Sequence, residues 1–116
     1  KTTRLVAEKM KLKEKEYMTT FQSRFGPDEW LQPYTDKTLE RLPSKDITEI
    51  YIISPGFSSD CLETLEELEV QNKEIFISSG GKKFNYIKCL NDNPQHLNML
   101  ALLILNHLKG WPGHSK

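Results

Sequence analysis

The feature that most constrains the fold is the alternation of strand-like runs with helical segments. Residues 49–54 (EIYIIS) are almost continuously apolar, and residues 83–90 (KFNYIKCL) form a second strand-like run. Between them, residues 61–77 carry apolar side chains at the helical period and end near Gly80-Gly81. A strand covered on both faces is typically a continuous apolar run, and a helix joining two such strands makes a crossover. The pattern therefore predicts a parallel sheet with helices on its faces.

The other segments extend this order to α-β-α-β-α-β-α. Helices are predicted over residues 2–12, 36–42 and 95–109, and residues 17–22 (YMTTFQ) are rich enough in aromatic and β-branched side chains for a strand. We expect one domain over residues 1–116, built as a three-layer α-β-α open parallel sheet with three visible strands. The first helix has no strand before it, so we expect one strand to be missing upstream of Lys1.

Composition excludes several classes of function. Sixteen basic residues balance sixteen acidic ones, which gives no net field toward nucleic acid. No apolar run approaches the ~20 residues of a membrane span. Two cysteines without a C-x-x-C pair indicate no disulfide framework and no cluster site, so we expect a reducing cytoplasm. His96, His107 and His114 lack metal-ligand spacing, and we interpret them as surface or edge residues.

Ligands of open α/β sheets bind at the loops that follow the strands. Residues 23–36, 55–60 and 91–94 are those loops here. The first of them contains Trp30 and Tyr34. Trp30 either covers the core or forms an aromatic wall for a flat ligand.

The helix over residues 61–77 begins with unusual negative charge. Asp60 and Glu63 have the spacing of a capping box. They therefore either cap the helix or take part in the chemistry of a functional site. Glu63, Glu67 and Gln71 recur every four residues and share one face. A carboxylate row of this kind could accept protons or pass a divalent cation along its oxygens. The remaining acids, Glu66, Glu69 and Glu74, are predicted to face solvent. Cys61 is either a small buried residue or a thiol whose pKa is lowered by the helix N-terminus.

Three motifs together carry a family resemblance. Residues 20–42 (TFQSRFGPDEWLQPYTDKTLERL), 55–69 (PGFSSDCLETLEELE) and 89–94 (CLNDNP) resemble the carboxyl-terminal half of bacterial ferrochelatase. That family inserts ferrous iron into protoporphyrin IX, and its two domains have the chelatase or flavodoxin-like fold. The resemblance implies that Glu63 contacts the metal together with a histidine, and that Glu67 relays protons or metal. It also implies that Asp60, Trp30 and Tyr34 lie at the porphyrin, and that the acidic helix is partly widened into a π-helix.

The resemblance also implies what this chain lacks. The metal-site histidine and the amino-terminal domain fall outside residues 1–116, so we expect the fragment alone to be inactive. Gln71 stands where some relatives have an acid, and Cys61 where many have histidine. Ferrous iron is a substrate, and we expect neither a tightly bound cofactor nor an iron–sulfur cluster. We expect the intact enzyme to be cytoplasmic, with peripheral membrane association. The alternative is a non-catalytic domain that only folds or associates, including with itself.

Overall fold

The computed structural model describes residues 1–113. Its α-helices are α1 (Thr2–Lys9), α2 (Thr35–Arg41), α3 (Lys73–Ser78) and α4 (Pro94–His107), and its strands are β1 (Glu49–Ile53) and β2 (Lys83–Ile87). A π-helix (Glu63–Asn72) leads directly into α3, and short 3-10 helices cover Glu14–Glu16 and Pro43–Lys45.

The two strands pair in parallel, as the sequence predicts. Their register runs from Glu49 opposite Lys83 to Ile53 opposite Ile87. Between them, the π-helix and α3 form the crossover, in which Leu68 and Phe76 are almost fully buried. The Phe76 ring lies 6.1 Å from that of Phe84 on β2. This contact packs α3 against β2.

The predicted third strand is wrong. Residues 17–22 contribute only an isolated bridge between Phe21 and Tyr34. The backbone N–H of Phe21 donates to the carbonyl of Pro33 (2.9 Å), and its carbonyl accepts from Thr35 N–H (3.0 Å). The segment therefore pairs with the end of its own loop. A groove of about 450 Å³ lies between this segment and β1. The sheet of the described residues therefore has two strands and not the three that we expected.

Backbone conformation explains where two helices end. Residue Lys11, inside the predicted helix 2–12, takes a φ of 57°, so α1 stops at Lys9. The stop predicted at Gly80-Gly81 is confirmed, since Gly80 has a φ of 104°. A Cβ on Gly81 would overlap the Phe76 ring, so the chain can turn here only with glycine.

Much apolar surface remains exposed. The radius of gyration is 17.9 Å, whereas a compact domain of this length has about 13 Å. Helix α4 buries only His96, and its exposed apolar side chains are Leu97, Met99, Leu102, Leu103, Ile104 and Leu105. None of the helices within residues 1–113 is both long enough and apolar enough to cross a lipid bilayer.

Candidate active-site wall

The acidic helix is a π-helix from Glu63 to Asn72, which agrees with the widened helix that the resemblance implies. A π-turn bonds residue i to i+5 and so holds one residue more than an α-turn. Glu63 and Asn72 are nine positions apart, which is two and a half α-turns, so an ordinary helix would point them in opposite directions. In this structure both line one cavity.

That cavity has a volume of about 450 Å³. The π-helix and α3 contribute one part of its lining, which is called the cavity wall below. The loop that follows residue 20 and the start of α2 contribute the rest. The lining residues are Phe21, Gln22, Ser23, Arg24, Asp36, Leu62, Glu63, Glu66, Glu67, Gln71, Asn72 and Ile75.

The row predicted from four-residue spacing does line the cavity. Glu63, Glu67 and Gln71 are all present in the wall. Glu66 is exposed, as predicted, but the wider turn also brings it to the same wall, where its carboxylate lies 3.4 Å from Gln71 Nε2. Asn72 is 3% exposed, and its Oδ1 has no hydrogen-bond partner among the described residues.

Glu63 is an exposed carboxylate in this wall. The neighbouring Cys61 thiol, acting as a donor, lowers the pKa of the Glu63 carboxyl, and a backbone N–H adds to the effect. Glu63 therefore stays ionised at neutral pH. An ionised and accessible carboxylate can accept a proton or bind a cation.

Glu67 is held differently from Glu63. The backbone N–H of Ser23 donates to Glu67 Oε1 at 2.7 Å, and the Ser23 hydroxyl donates to Oε2. Both carboxylate oxygens therefore have a donor from the facing loop. Glu67 is half-buried, and the two contacts fix its orientation in the cavity wall.

Asp60 ties the start of the acidic helix to the end of β2. Its Oδ1 accepts from the Tyr86 hydroxyl (2.6 Å), and its Oδ2 accepts from Asn91 Nδ2 (2.7 Å). Thr64 Oγ1 lies 3.1 Å from the same Oδ1 and accepts from Cys61 N–H. The predicted Asp60–Glu63 capping box is wrong, because the Asp60 N–H, which Glu63 would satisfy in such a box, donates to Asn91 Oδ1 at 2.8 Å.

These contacts set the electrostatics around Asp60. The hydrogen bond from Asn91, followed by the one from Tyr86, holds the pKa of the Asp60 carboxyl far below its usual range. Burial, and then the bond to Asp60, raises the pKa of the Tyr86 phenol. Asp60 is thus an ionised anchor whose oxygens are occupied by groups of this chain.

The aromatic residues of the first loop lie outside the cavity lining. Trp30 is 41% exposed, and its indole N–H donates to the Phe25 carbonyl at 2.6 Å. The Arg24 guanidinium lies 4.3 Å from the centre of the Tyr34 ring and forms an ion pair with Asp36 at 2.7 Å. The structure thus places Glu63 and Glu67 in one cavity wall, whereas Trp30, Tyr34 and Asp60 are not among the residues that line the cavity. Contact of those three with a porphyrin stays a prediction.

The histidines and cysteines do not form a metal site here. Within residues 1–113, no three His, Cys, Asp or Glu side chains are grouped so that they could hold a metal ion. His96 is not the surface residue that we expected, since it is buried and its Nδ1 lies 2.8 Å from the Asn91 carbonyl. His107 is exposed, as expected, and His114 lies outside the described residues. Cys61 and Cys89 are both half-buried.

Comparison with known proteins gives a consistent result. Residues 1–108 match the family model described as ferrochelatase. The curated ferrochelatase of Marinobacter nauticus is 55% identical over 96% of this chain, which covers 30% of that relative. Those of Pseudoalteromonas atlantica and Agrobacterium fabrum are each 54% identical over 96% of the chain, covering 31% and 32% of their lengths. The chain therefore spans about a third of the length of the curated relatives it matches.

Proposed function

This chain belongs to the ferrochelatase family, and from that premise we propose that it is part of a longer enzyme that inserts ferrous iron into protoporphyrin IX to give protoheme. The observation that most supports this proposal is the cavity wall formed by the π-helix. There, Glu63 is exposed and ionised, and the carboxylate of Glu67 is held in place by hydrogen bonds. Inserting iron requires that two pyrrole protons be removed and that the metal lose its water. Carboxylates at one wall suit both tasks.

We assign a separate role to each acid. Glu63, whose carboxylate is exposed, would contact the metal and accept a pyrrole proton. Glu67, one turn further along, would pass protons or metal between Glu63 and solvent. General-base help of this kind is worth on the order of 100- to 10,000-fold in rate. Trp30 and Tyr34 would contact the macrocycle, and Asp60 would support the porphyrin cleft from the helix start.

The chain would supply one side of the site. No complete metal-binding group occurs among residues 1–113, so further ligands to the iron would come from the remaining two thirds of a protein as long as its relatives. We therefore propose that residues 1–116 alone do not insert metal. Iron is a substrate in this proposal, and neither a resident cofactor nor an iron–sulfur cluster has a part in it.

The sheet has room for a further strand. β1 pairs with β2 along one edge only, and its other edge borders the groove of about 450 Å³. Tyr17, Met18 and Thr20, from the run in which a strand was predicted, also line that groove. A parallel strand from the longer protein would pair with β1 and restore the layered α/β sheet that the sequence predicts.

We place the intact enzyme in the cytoplasm, with peripheral membrane association, because protoporphyrin is an apolar substrate. The direct test is to produce the full-length protein and assay protoheme formation from ferrous iron and protoporphyrin IX. Formation of protoheme by the full-length protein supports the proposal. A well-folded full-length protein that forms none refutes it.

One observation favours a second reading, in which this chain acts only in association. The exposed apolar side chains of α4 would cover one another if two copies met. Sedimentation of the 116-residue chain and an insertion assay on the same sample separate the readings. Self-association without turnover, together with an inactive full-length protein, would favour association as the function.

A further inference from the structure

A chain of hydrogen bonds runs through the loop after residue 21 and ends on Glu67. The Ser54 hydroxyl, just beyond β1, donates to Gln22 Oε1 at 2.9 Å. Gln22 Nε2 lies 3.3 Å from Ser23 Oγ and donates to the Glu63 carbonyl at 2.9 Å. Ser23 in turn donates to both oxygens of Glu67. The bonds from Ser54 through Gln22 and Ser23 run toward the Glu67 carboxylate, so each polarises the next one, and the bond from Gln22 to the Glu63 carbonyl is a side branch.

The backbone of Ser23 is as unusual as its contacts. Its φ is 59°, a left-handed conformation that a serine seldom adopts. Strained backbone of this kind persists only where surrounding contacts hold it, and it is concentrated at functional sites. Here the holding contacts are the Gln22 amide on one side and the Glu67 carboxylate on the other.

We propose that Ser23 is a positioning residue for Glu67, with Gln22 fixing Ser23 in turn. Two donors from Ser23 hold the carboxylate in the cavity wall and leave one lone pair free on each oxygen, so Glu67 takes up a proton or a metal ion in the orientation that Ser23 sets. Ser23 thereby controls how readily a proton or a metal ion passes between Glu67 and Glu63. This inference rests on the proposed function, and it adds a residue that touches neither iron nor porphyrin.

The contact itself can be tested on the 116-residue chain without any assay of activity. Glu67→Ala removes the acceptor of the Ser23 amide, so hydrogen exchange at that amide should become about tenfold faster or more. Glu74→Ala, an equal change at an exposed acid outside the cavity, is the control. Unchanged exchange at Ser23 in the Glu67 variant would overturn the inference.

The role is tested by kinetics in the full-length protein. Ser23→Gly removes the hydroxyl while keeping the N–H and the left-handed backbone, which glycine adopts freely. We expect kcat to fall about fivefold, as for one lost hydrogen bond, with the KM for porphyrin unchanged. In a Glu67→Ala background the same substitution should have no further effect on kcat, because the acceptor of the Ser23 hydroxyl is already absent.

Ser23→Ala separates positioning from simple backbone support. Alanine also removes the hydroxyl but is strained at a φ of 59°, so it should cost stability that glycine does not. If Ser23→Gly lowers kcat equally with and without Glu67, positioning is refuted while the proposed function stands. If the unaltered full-length protein inserts no metal, the proposed function fails, whatever Ser23 does.

Discussion

The Tyr86 hydroxyl donates a 2.6 Å hydrogen bond to Asp60 Oδ1 and so joins the penultimate residue of β2 to the loop from which the acidic helix begins. The two residues are 26 positions apart in the sequence. Asp60 thereby fixes the start of the π-helix at the carboxyl edge of the sheet. The position of Glu63, three residues on, depends on this bond.

Removing the Tyr86 hydroxyl should destabilise the chain measurably. Tyr86→Phe leaves a half-buried carboxylate with one donor fewer, and hydrogen bonds to charged groups contribute about 1.5–3 kcal/mol. We expect the free energy of unfolding in urea to fall by about that amount. Tyr51→Phe is the matched control, because the Tyr51 side chain is 66% exposed. Equal stability of the two variants would show that the bond does not anchor the helix.

Asp60 should make stability depend on acidic pH. Its carboxyl pKa is lowered in the folded state, chiefly by Asn91, so the unfolded chain binds a proton first as the pH falls. The stabilisation is complete above about pH 5 and is lost from about pH 4 downward, toward the much lower folded-state pKa. Asp60→Asn should therefore flatten the dependence of the unfolding free energy on pH between about 4 and 2.

An exposed acid provides the control for that titration. Asp28 lies on the surface of the first loop, and Asp28→Asn should leave the acid limb of the stability curve unchanged. If the Asp60 and Asp28 variants lose stability in parallel with the unaltered chain, the Asp60 cluster is not what makes the fold sensitive to acid.

Gly81 should not tolerate a side chain. A Cβ at this position would overlap the ring of Phe76, which is fully buried, so Gly81→Ala must displace part of the core. Overpacking of this kind costs about 1–3 kcal/mol. Gly56→Ala is the control, since no atom lies within 4 Å of a Cβ there. Thermal unfolding that shifts equally for both variants would contradict the packing described here.

The sequence predicted those parts of the fold that depend on local pattern. β1, β2 and the helix between them follow from apolar periodicity, and the glycine stop follows from backbone freedom. Local pattern could not decide whether residues 17–22 form a strand, because a strand also needs a neighbouring strand to pair with. Phe21 instead forms its backbone hydrogen bonds with Pro33 and Thr35.

The candidate site was predictable to a similar extent. The spacing of Glu63 and Glu67 identified the wall, but faces assigned with the α-helical period missed Glu66 and Asn72. A single inserted π-turn changes which residues share a face, and periodicity alone does not reveal it. Ser23 and Tyr86 were missed because their partners are 44 and 26 residues away in the sequence. For Ser23, the one available signal was its position directly after the strand-like run over residues 17–22.

The central claim is that Glu63 takes part in metal insertion, and iron insertion by the full-length protein carrying Glu63→Gln measures this most directly. The substitution keeps the size of the side chain and removes its charge, whereas Glu74→Gln makes the same change at an exposed residue outside the cavity. We predict that Glu63→Gln lowers the rate of protoheme formation by about tenfold or more, because a general base is lost, while Glu74→Gln leaves it unchanged. A folded Glu63→Gln enzyme that works at the rate of the Glu74 variant would contradict the account.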